Sequence, residues 1–388
     1  MHLPSYARLR YGINVYRLLL ALSVLVLTAP AARADESLLP GLIREPTFVS
    51  ITLPDGVQER LEALTVRPDR PERFPLVLMV HGTPRYSSRR SHMSPAAYIG
   101  PAVAFASRGY AVVSIMRRGF GRSDGPYAEE YATGATCGNR DYLRVARISA
   151  EDVLGAVAAL RAEHWVDPDR VVLLGQSTGG LAVTAAAAAT PPGLVGILDF
   201  AGGRGSDAPY HVCDEDHLVG AFGEFGKTAR TPALWVFAEN DQFFGPDLAR
   251  RMLDAYRAGG APARLVMLPP VGTDGHDALT IAPLELIWPP VEEFLTSLKL
   301  PTKIVVDLPP MPSLPPPPGV NSGCAALFRN YLDARVEAKA FAISLDGHCG
   351  WDVTGPTIEM AKQAAVGSCA QRGANCTVYA LGRSLVAP

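Results

Sequence analysis

The chain has little charge of either sign and no long hydrophobic run. Charged residues make up 19% of its 388 residues, the formal net charge is −2, and no basic stripe is present. Nucleic acids and anionic membrane surfaces are therefore not expected as partners. The apolar run from Leu18 to Leu27 is about half as long as the roughly 20 residues that a membrane span needs. A hydrophobic fraction of 48% still predicts a globular protein with a large core.

Motifs for metals and nucleotides are also missing. None of the six cysteines forms a C-x-x-C pair, and no Lys-Ser/Thr pair follows the glycine-rich stretch Gly175–Gly180, which lacks the G-x-G-x-x-G spacing. His211 and His217 flank an acidic run, but at a spacing that matches no standard ligand set. We therefore expect neither a cofactor nor a metal.

The N-terminal segment is typical of an export signal. Three arginines precede the apolar run, and Ala32-Arg33-Ala34 offers small residues at a cleavage point. The pattern predicts a signal peptide over residues 1–34, cleaved after Ala34, and a secreted or periplasmic protein without stable membrane insertion. An uncleaved N-terminal anchor is the alternative.

In an oxidising compartment the even number of cysteines indicates disulfides. The connectivity of the last four is open; they are Cys324, Cys349, Cys369 and Cys376.

From residue 75 onward apolar, strand-like runs alternate with helix-like segments. The predicted strands are Pro75–Val80, Ala111–Ile115, Arg170–Leu174, Leu194–Phe200, Ala233–Ala238 and Arg264–Leu268. Such alternation favours a mostly parallel, doubly wound sheet, which is the α/β class. A hairpin around Pro54-Asp55-Gly56 is expected to add antiparallel strands at one edge. Ser149 and Asp152 resemble a capping box, which predicts that a helix begins there.

A proline-rich stretch divides the chain. Residues 308–323 contain prolines at short intervals and predict a stiff, extended linker. We expect an α/β domain over residues 35–307 before it. Beyond it, residues 324–388 read as a small cysteine-containing α+β domain.

The most informative motif is Gly175-Gln176-Ser177-Thr178-Gly179. It lies between a β-branched run and an alanine-rich stretch, which predicts a strand, a tight turn and a helix with Ser177 on the turn. A serine needs a base and an acid to act as a nucleophile, and these groups gather beyond the carboxyl ends of parallel strands. Asp241 follows the strand Ala233–Ala238, with Glu239 and Asp247 as alternatives for the acid. His276 follows the next strand, and the order Ser177, Asp241, His276 predicts a triad.

An oxyanion hole needs two N–H donors. One is expected from Thr178, directly after the nucleophile, and the second from Thr83 in the His81-Gly82-Thr83 loop, because Pro84 cannot donate. His81 ends a strand and is interpreted as a structural partner of this loop.

With these residues, and with the run Arg118–Gly125, the chain resembles the α/β-hydrolase superfamily, in particular its dienelactone-hydrolase-like and prolyl-oligopeptidase-like branches. The resemblance covers roughly residues 47–298. It implies acyl transfer to water, in which Ser177 attacks a carbonyl, His276 moves the proton and Asp241 holds His276. Some dienelactone hydrolases use cysteine as the nucleophile, so the serine here argues against a true dienelactone substrate.

The C-terminal segment is similar to a short module of exported bacterial proteins known as DUF4189-like. Binding of a cell-envelope component and a passive appendage are both compatible with that likeness.

Two long loops, residues 125–143 and 202–228, are expected to overhang Ser177. Each contains one cysteine, which predicts a Cys137–Cys213 disulfide at the rim. Acidic residues on these loops, Glu129 among them, could attract a substrate amine or form a solvated surface.

The sequence thus predicts a secreted serine hydrolase acting on small carboxylic esters. A serine peptidase of the oligopeptidase type is the first alternative, less favoured because no large N-terminal gating domain is evident. A non-catalytic envelope-binding protein on a hydrolase scaffold is the second.

Overall fold

A large twisted sheet forms the centre of the protein. The structure is a computed structural model and describes residues 39–127, 129, 137–310, 313–353 and 357–386. The signal peptide predicted over residues 1–34 lies outside these residues. The strands of the large sheet are β1 (Leu42–Thr52), β2 (Gln58–Pro68), β3 (Phe74–Val80), β4 (Ala111–Ile115), β5 (Val166–Gln176), β6 (Leu194–Phe200), β9 (Ala233–Ala238) and β10 (Ala263–Leu268). Between β6 and β9, the short strands β7 (Ser206–Ala208) and β8 (His211–Val212) pair with each other.

The strand order in the large sheet is β1-β2-β4-β3-β5-β6-β9-β10. The hairpin β1–β2 and the β2–β4 pair are antiparallel, and all other neighbours are parallel. Parallel strands need helical crossovers, which the alternation of strands and helices in the sequence supplies. This is the predicted α/β-hydrolase fold, with the edge hairpin where the Pro54-Asp55-Gly56 turn indicates it.

Helices cover both faces of the sheet. These helices are α1 (Ile99–Ala106), α2 (Tyr142–Leu160), α3 (Thr178–Ala188), α4 (Glu215–Gly226), α5 (Pro246–Ala258), α6 (Ala278–Ile281) and α7 (Leu284–Ser297). Two further helices, α8 (Ser322–Asp333) and α9 (Ile358–Ala370), belong to the C-terminal segment. Successive residues of β3 enter opposite cores: Leu76 and Leu78 pack with α2 to α5, whereas Val77 and Met79 pack with α1 and α7. Both faces being buried explains why the strand reads as a continuous apolar run rather than an alternating one.

Two local predictions are wrong. Helix α2 begins after Asp141, whose carboxylate accepts a hydrogen bond from Arg144 N–H, and Ser149 lies inside the helix, where its hydroxyl donates to the Val145 carbonyl. A second cap-like residue within a long helix cannot be told from a true cap by its pattern alone. The segment 202–228 is not a loop throughout, because its second half forms α4.

The C-terminal segment forms a separate antiparallel sheet. Its strands are β11 (Ala340–Ile343), β12 (Cys349–Asp352), β13 (Thr377–Leu381) and β14 (Ser384–Leu385), in the order β12-β11-β13-β14. Disulfides join Cys324 to Cys349 and Cys369 to Cys376. Ala334, Val336 and Val353 pack into the same apolar cluster as α1 and α7, so this sheet is attached to the face of the large sheet opposite α2 to α5. No helix within the described residues is long and apolar enough to cross a membrane.

Candidate active site

Ser177 lies at a sharp turn between β5 and α3. Its backbone has φ 56° and ψ −121°, a conformation that costs energy for any residue other than glycine. A Cβ at residue 175 would collide with the Gly179 carbonyl, and a Cβ at residue 179 would collide with the Val80 carbonyl. The flanking glycines are therefore needed for helix α3 to approach the sheet this closely. The strained turn presents the Ser177 side chain at the carboxyl end of the sheet.

Asp241 and His276 follow the neighbouring strands β9 and β10 and meet there. Nδ1 of His276 lies 3.2 Å from both carboxylate oxygens of Asp241. The backbone N–H groups of Phe243 and Phe244 donate to Asp241 Oδ1 at 2.7 and 2.9 Å. Because a carboxylate only accepts, His276 carries its proton on Nδ1, and Nε2 is left as the basic nitrogen.

Two aromatic rings enclose the imidazole. Phe243 stacks on His276 with ring centroids 3.8 Å apart, and Phe244 approaches edge-on at 5.4 Å. The Arg85 guanidinium lies on Phe243, 3.6 Å from the ring centroid. No hydrogen bond joins Ser177 to His276 among the contacts of the described residues. The structure therefore brings Asp241 and His276 into direct contact, whereas the serine and the imidazole do not form the bond that triads often complete only with substrate bound.

The residues predicted for the oxyanion hole, Thr83 and Thr178, also meet. Their hydroxyl oxygens are 2.8 Å apart. The loop bearing Thr83 packs directly on the nucleophile, because a Cβ at Gly82 would come within 2.9 Å of Ser177 Cβ. His81 supports this loop: its Nδ1 lies 2.6 Å from the Gly82 carbonyl, and its Nε2 accepts from Arg117 N–H. Burial and the nearby Arg117 charge lower the pKa of His81 well below its ordinary value, so the ring is neutral.

Behind this loop lie buried charges whose pairing no sequence pattern indicates. Arg117 is fully buried, its Nε donates to Glu129, and one of its terminal nitrogens donates to both the Thr178 and Thr83 hydroxyls. Glu129 also accepts from Arg204 at 2.6 Å. Burial alone would raise the pKa of Glu129, but the two arginines outweigh it and lower the pKa to about 2. In the sequence, Arg117 could have been noticed as a charge directly after an apolar strand.

A cavity of about 300 Å³ lies beside these groups and is lined by Ser177, Thr83 and Thr178. Its rim contains a disulfide between Cys137 and Cys213, which joins the two segments that overhang the site. Among the described residues, the one cluster with metal-ligand spacing consists of these two cysteines and Asp207. Both of its sulfurs are bonded to each other, so it offers only a carboxylate.

Residues 55–218 match the family X-Pro dipeptidyl-peptidase (S15 family). This segment is less than half of the chain and contains Ser177, Thr83 and Thr178, but neither Asp241 nor His276. No curated protein matches the sequence.

Several solved structures resemble the chain at low identity. Acetyl xylan esterase 1 from Thermoanaerobacterium sp. is 17% identical, with 69% of this chain and 91% of that chain covered and a TM-score of 0.43. Dipeptidyl peptidase 4 from Porphyromonas gingivalis is 14% identical, with 66% and 35% covered and a TM-score of 0.45. A dienelactone hydrolase-like promiscuous phosphotriesterase from metagenomic libraries is 15% identical, with 60% and 83% covered and a TM-score of 0.41. Identities and TM-scores this low carry no argument, so the fold is assigned from the strand order and the Ser177 turn.

Together, the strand order and the serine turn define an α/β-hydrolase fold, and part of the sequence is similar to the S15 peptidases.

Proposed function

We propose that the protein hydrolyses small carboxylic esters through a triad of Ser177, His276 and Asp241. The observation that carries this proposal is the contact between His276 and Asp241 at the strand ends next to the strained Ser177 turn. A chance G-x-S-x-G motif gives no reason for an imidazole and a buried carboxylate to meet there.

In this mechanism Ser177 Oγ attacks the ester carbonyl while His276 Nε2 takes the hydroxyl proton. The tetrahedral oxyanion is held by the N–H groups of Thr83 and Thr178. The intermediate expels the alcohol, which receives the proton from His276, and leaves an acyl group on Ser177. Water then attacks the acyl carbonyl while His276 removes its proton, and the bond to Ser177 Oγ breaks as that oxygen takes the proton back from His276 and the carboxylic acid is released. Asp241 holds the imidazole in the required tautomer throughout.

The charges around the cavity favour an ester over a peptide with a free N-terminus. Recognition of an ammonium group requires an available carboxylate. The cavity lining contains three arginines and one acid, Asp207, whose carboxylate contacts His211. Glu129 is held by two arginines. The acids of the overhanging segments that the structure describes are thus engaged within the protein. The S15 match nevertheless makes a peptidase the second candidate.

The test is hydrolysis of p-nitrophenyl acetate, butyrate and octanoate beside alanyl and glycyl-prolyl p-nitroanilides, with protein starting at Asp35. Ser177→Ala is compared with Ser91→Ala, a matched change on an exposed 3-10 helix. Ester turnover that Ser177→Ala abolishes and Ser91→Ala leaves unchanged is the expected result. Turnover confined to the anilides would replace the ester with the peptide reaction. No turnover, with no labelling of Ser177 by a fluorophosphonate, would favour a non-catalytic binding protein.

We also propose export through cleavage after Ala34, for which the three disulfides are supporting evidence because such bonds persist in oxidising compartments. A role for residues 324–388 in binding a cell-envelope component stays a hypothesis. Mass measurement of the N-terminus of the mature protein tests the first proposal. Co-sedimentation of the protein, with and without residues 324–388, with isolated envelopes tests the second.

A further inference from the structure

Arg117 lies directly beneath the two threonines of the candidate oxyanion hole. One terminal nitrogen donates to Thr178 Oγ1 at 2.9 Å and to Thr83 Oγ1 at 3.2 Å. The other donates to the His81 carbonyl, at the start of the loop that bears Thr83. The side chain is completely buried. Burying an arginine costs free energy. Because this one side chain bonds to His81 and Thr83 of the loop and to Thr178 of helix α3, it fixes the loop relative to the helix.

The buried cluster around Arg117 has an excess of positive charge. Arg117 and Arg204 share a single acid, Glu129, whose two oxygens each accept from one of them at 2.8 and 2.6 Å. Arg204 also donates to the Tyr127 hydroxyl. The neighbouring Arg118 has the opposite balance of charge, because this one arginine pairs with two acids, Asp152 and Glu151.

Arg117, Arg204 and Glu129 together carry a net charge of +1, next to the Arg118 group, whose two acids give it a net charge of −1. The Arg117 guanidinium, which contacts the threonines directly, favours a negative charge that develops on a substrate oxygen at this place.

The hydroxyl protons of the two threonines can be counted. A guanidinium only donates, so both hydroxyl oxygens act as acceptors towards Arg117. The 2.8 Å contact between Thr83 and Thr178 uses the proton of one hydroxyl. The proton of the other has no acceptor among the described residues. Both side chains line the cavity beside Ser177, and Thr83 is the more exposed of the two. The arrangement thus offers one further O–H donor on the cavity side.

We propose that Arg117 is a positioning residue of the oxyanion hole and that the Thr83 hydroxyl, oriented by Arg117 and Thr178, donates a third hydrogen bond to the oxyanion. This inference rests on the proposed function and deepens it. Thr178 donates to Thr83 Oγ1, and the Thr83 proton is directed to the oxygen that becomes negative. No proton is transferred; the bond strengthens as the tetrahedral intermediate forms. Substrate binding gains little, because the carbonyl of the bound ester is only weakly negative.

The first test compares Thr83→Val with Thr83→Ser in hydrolysis of p-nitrophenyl butyrate. Valine keeps the shape of threonine and removes the hydroxyl, whereas serine keeps the hydroxyl. We expect Thr83→Val to lower kcat about 100-fold with KM changed less than about threefold, and Thr83→Ser to stay within about fivefold of the natural enzyme. Thermal unfolding of both variants checks that they fold. Equal kcat values for the two variants would overturn the role of the hydroxyl.

The second test addresses Arg117 with Arg117→Gln and Arg117→Lys. We expect Arg117→Gln to lower kcat at least as much as Thr83→Val, and Arg117→Lys to recover part of the loss because it restores the charge. Arg118→Gln is the matched control, since it breaks a neighbouring ion pair that does not touch the threonines, and its kcat is expected within threefold of the natural value. If Arg117→Gln does not fold, the Thr83 pair decides the proposal. An Arg117→Gln variant that folds and keeps its kcat would overturn the role of Arg117.

Labelling by a fluorophosphonate separates this inference from the proposed function. If Ser177 of the natural protein is labelled and Thr83→Val retains full kcat, the third donor is wrong and the triad stands. If the natural protein is neither labelled nor active on any ester, the proposed function fails and this inference fails with it.

Discussion

The two sides of the active-site cavity are held in place by different means. On the acid–base side, Asp241 is held by the backbone N–H groups of Phe243 and Phe244, and His276 by Asp241 and the ring of Phe243. On the oxyanion side, the Thr83 loop is fixed by the buried side-chain charge of Arg117, which is itself held by Glu129. The carboxylate of the first arrangement is held by backbone groups of its own turn, whereas the second depends on buried charged side chains. The acid–base side should therefore tolerate changes in remote residues, and the oxyanion side should not.

The largest effect that tests this comparison is expected from Asp241→Asn. The amide can present N–H to His276 Nδ1, which selects the tautomer whose Nε2 carries the proton and cannot accept one from Ser177. We expect kcat to fall by about 10³- to 10⁴-fold with little loss of stability, measured with p-nitrophenyl butyrate and by urea unfolding. Asp247→Asn, on the exposed start of α5, is the control and should have no effect. A loss of less than tenfold would remove Asp241 from the triad.

The next effect concerns Glu129→Gln, which leaves Arg117 and Arg204 without their shared counter-charge. Breaking a buried ion pair in this way typically costs about 3–5 kcal/mol in unfolding free energy. We expect a loss of that size in urea unfolding and a lower kcat, because the Arg117 side chain is no longer held. Glu293→Gln, which breaks an exposed pair with Arg264, should change stability by less than about 1 kcal/mol. Equal losses for the two variants would contradict the ionic account of the oxyanion side.

Acid unfolding provides a third measurement on the same group. The two arginines lower the pKa of Glu129 to about 2 in the folded protein, below its ordinary value of 4.5. The folded state thus holds the ionised form more strongly than the unfolded state does. Its contribution to stability is fully present above about pH 4.5 and is lost as the pH falls towards 2. From the difference in pKa we expect about 3 kcal/mol over this range. A curve for Glu129→Gln that parallels the natural one between pH 5 and pH 2 would show that Glu129 titrates normally.

The smallest effect is expected from Phe243→Leu, on the acid–base side. The substitution keeps an apolar side chain but removes the ring stacked on His276 at 3.8 Å. Stacked aromatic pairs contribute about 1 kcal/mol, so kcat should fall by about fivefold. The matched control is Phe48→Leu, an exposed ring far from the imidazole, for which no change in kcat is expected. A loss of more than 100-fold would mean that Phe243 is part of the catalytic machinery.

The acid–base side of the cavity is easier to predict from the sequence than the oxyanion side. The positions of Ser177, Asp241 and His276 can be predicted because each follows a strand, and the carboxyl ends of parallel strands meet at one edge. The flanking glycines report the close approach of α3 to the sheet. The strands themselves are continuous apolar runs, so their bounds are predicted within one or a few residues.

The buried ion pair between Arg117 and Glu129 could not be predicted from the sequence. Charged residues on loops are usually solvated, and only the folded chain shows that these two are buried against each other. The same limit explains Ser149, whose cap-like neighbours lie inside a helix that begins at Tyr142. Local sequence indicates turn chemistry and strand ends; it does not indicate which distant charges share a buried site.

The three disulfides each join cysteines that are consecutive along the chain: Cys137 to Cys213, Cys324 to Cys349, and Cys369 to Cys376. Six cysteines permit 15 pairings, and this one alone results when each cysteine bonds to the next one to become available. A chain that enters an oxidising compartment with its N-terminus first, and is oxidised in order of emergence, reaches this set without rearrangement. Its maturation would therefore need an oxidant of thiols but no disulfide isomerase.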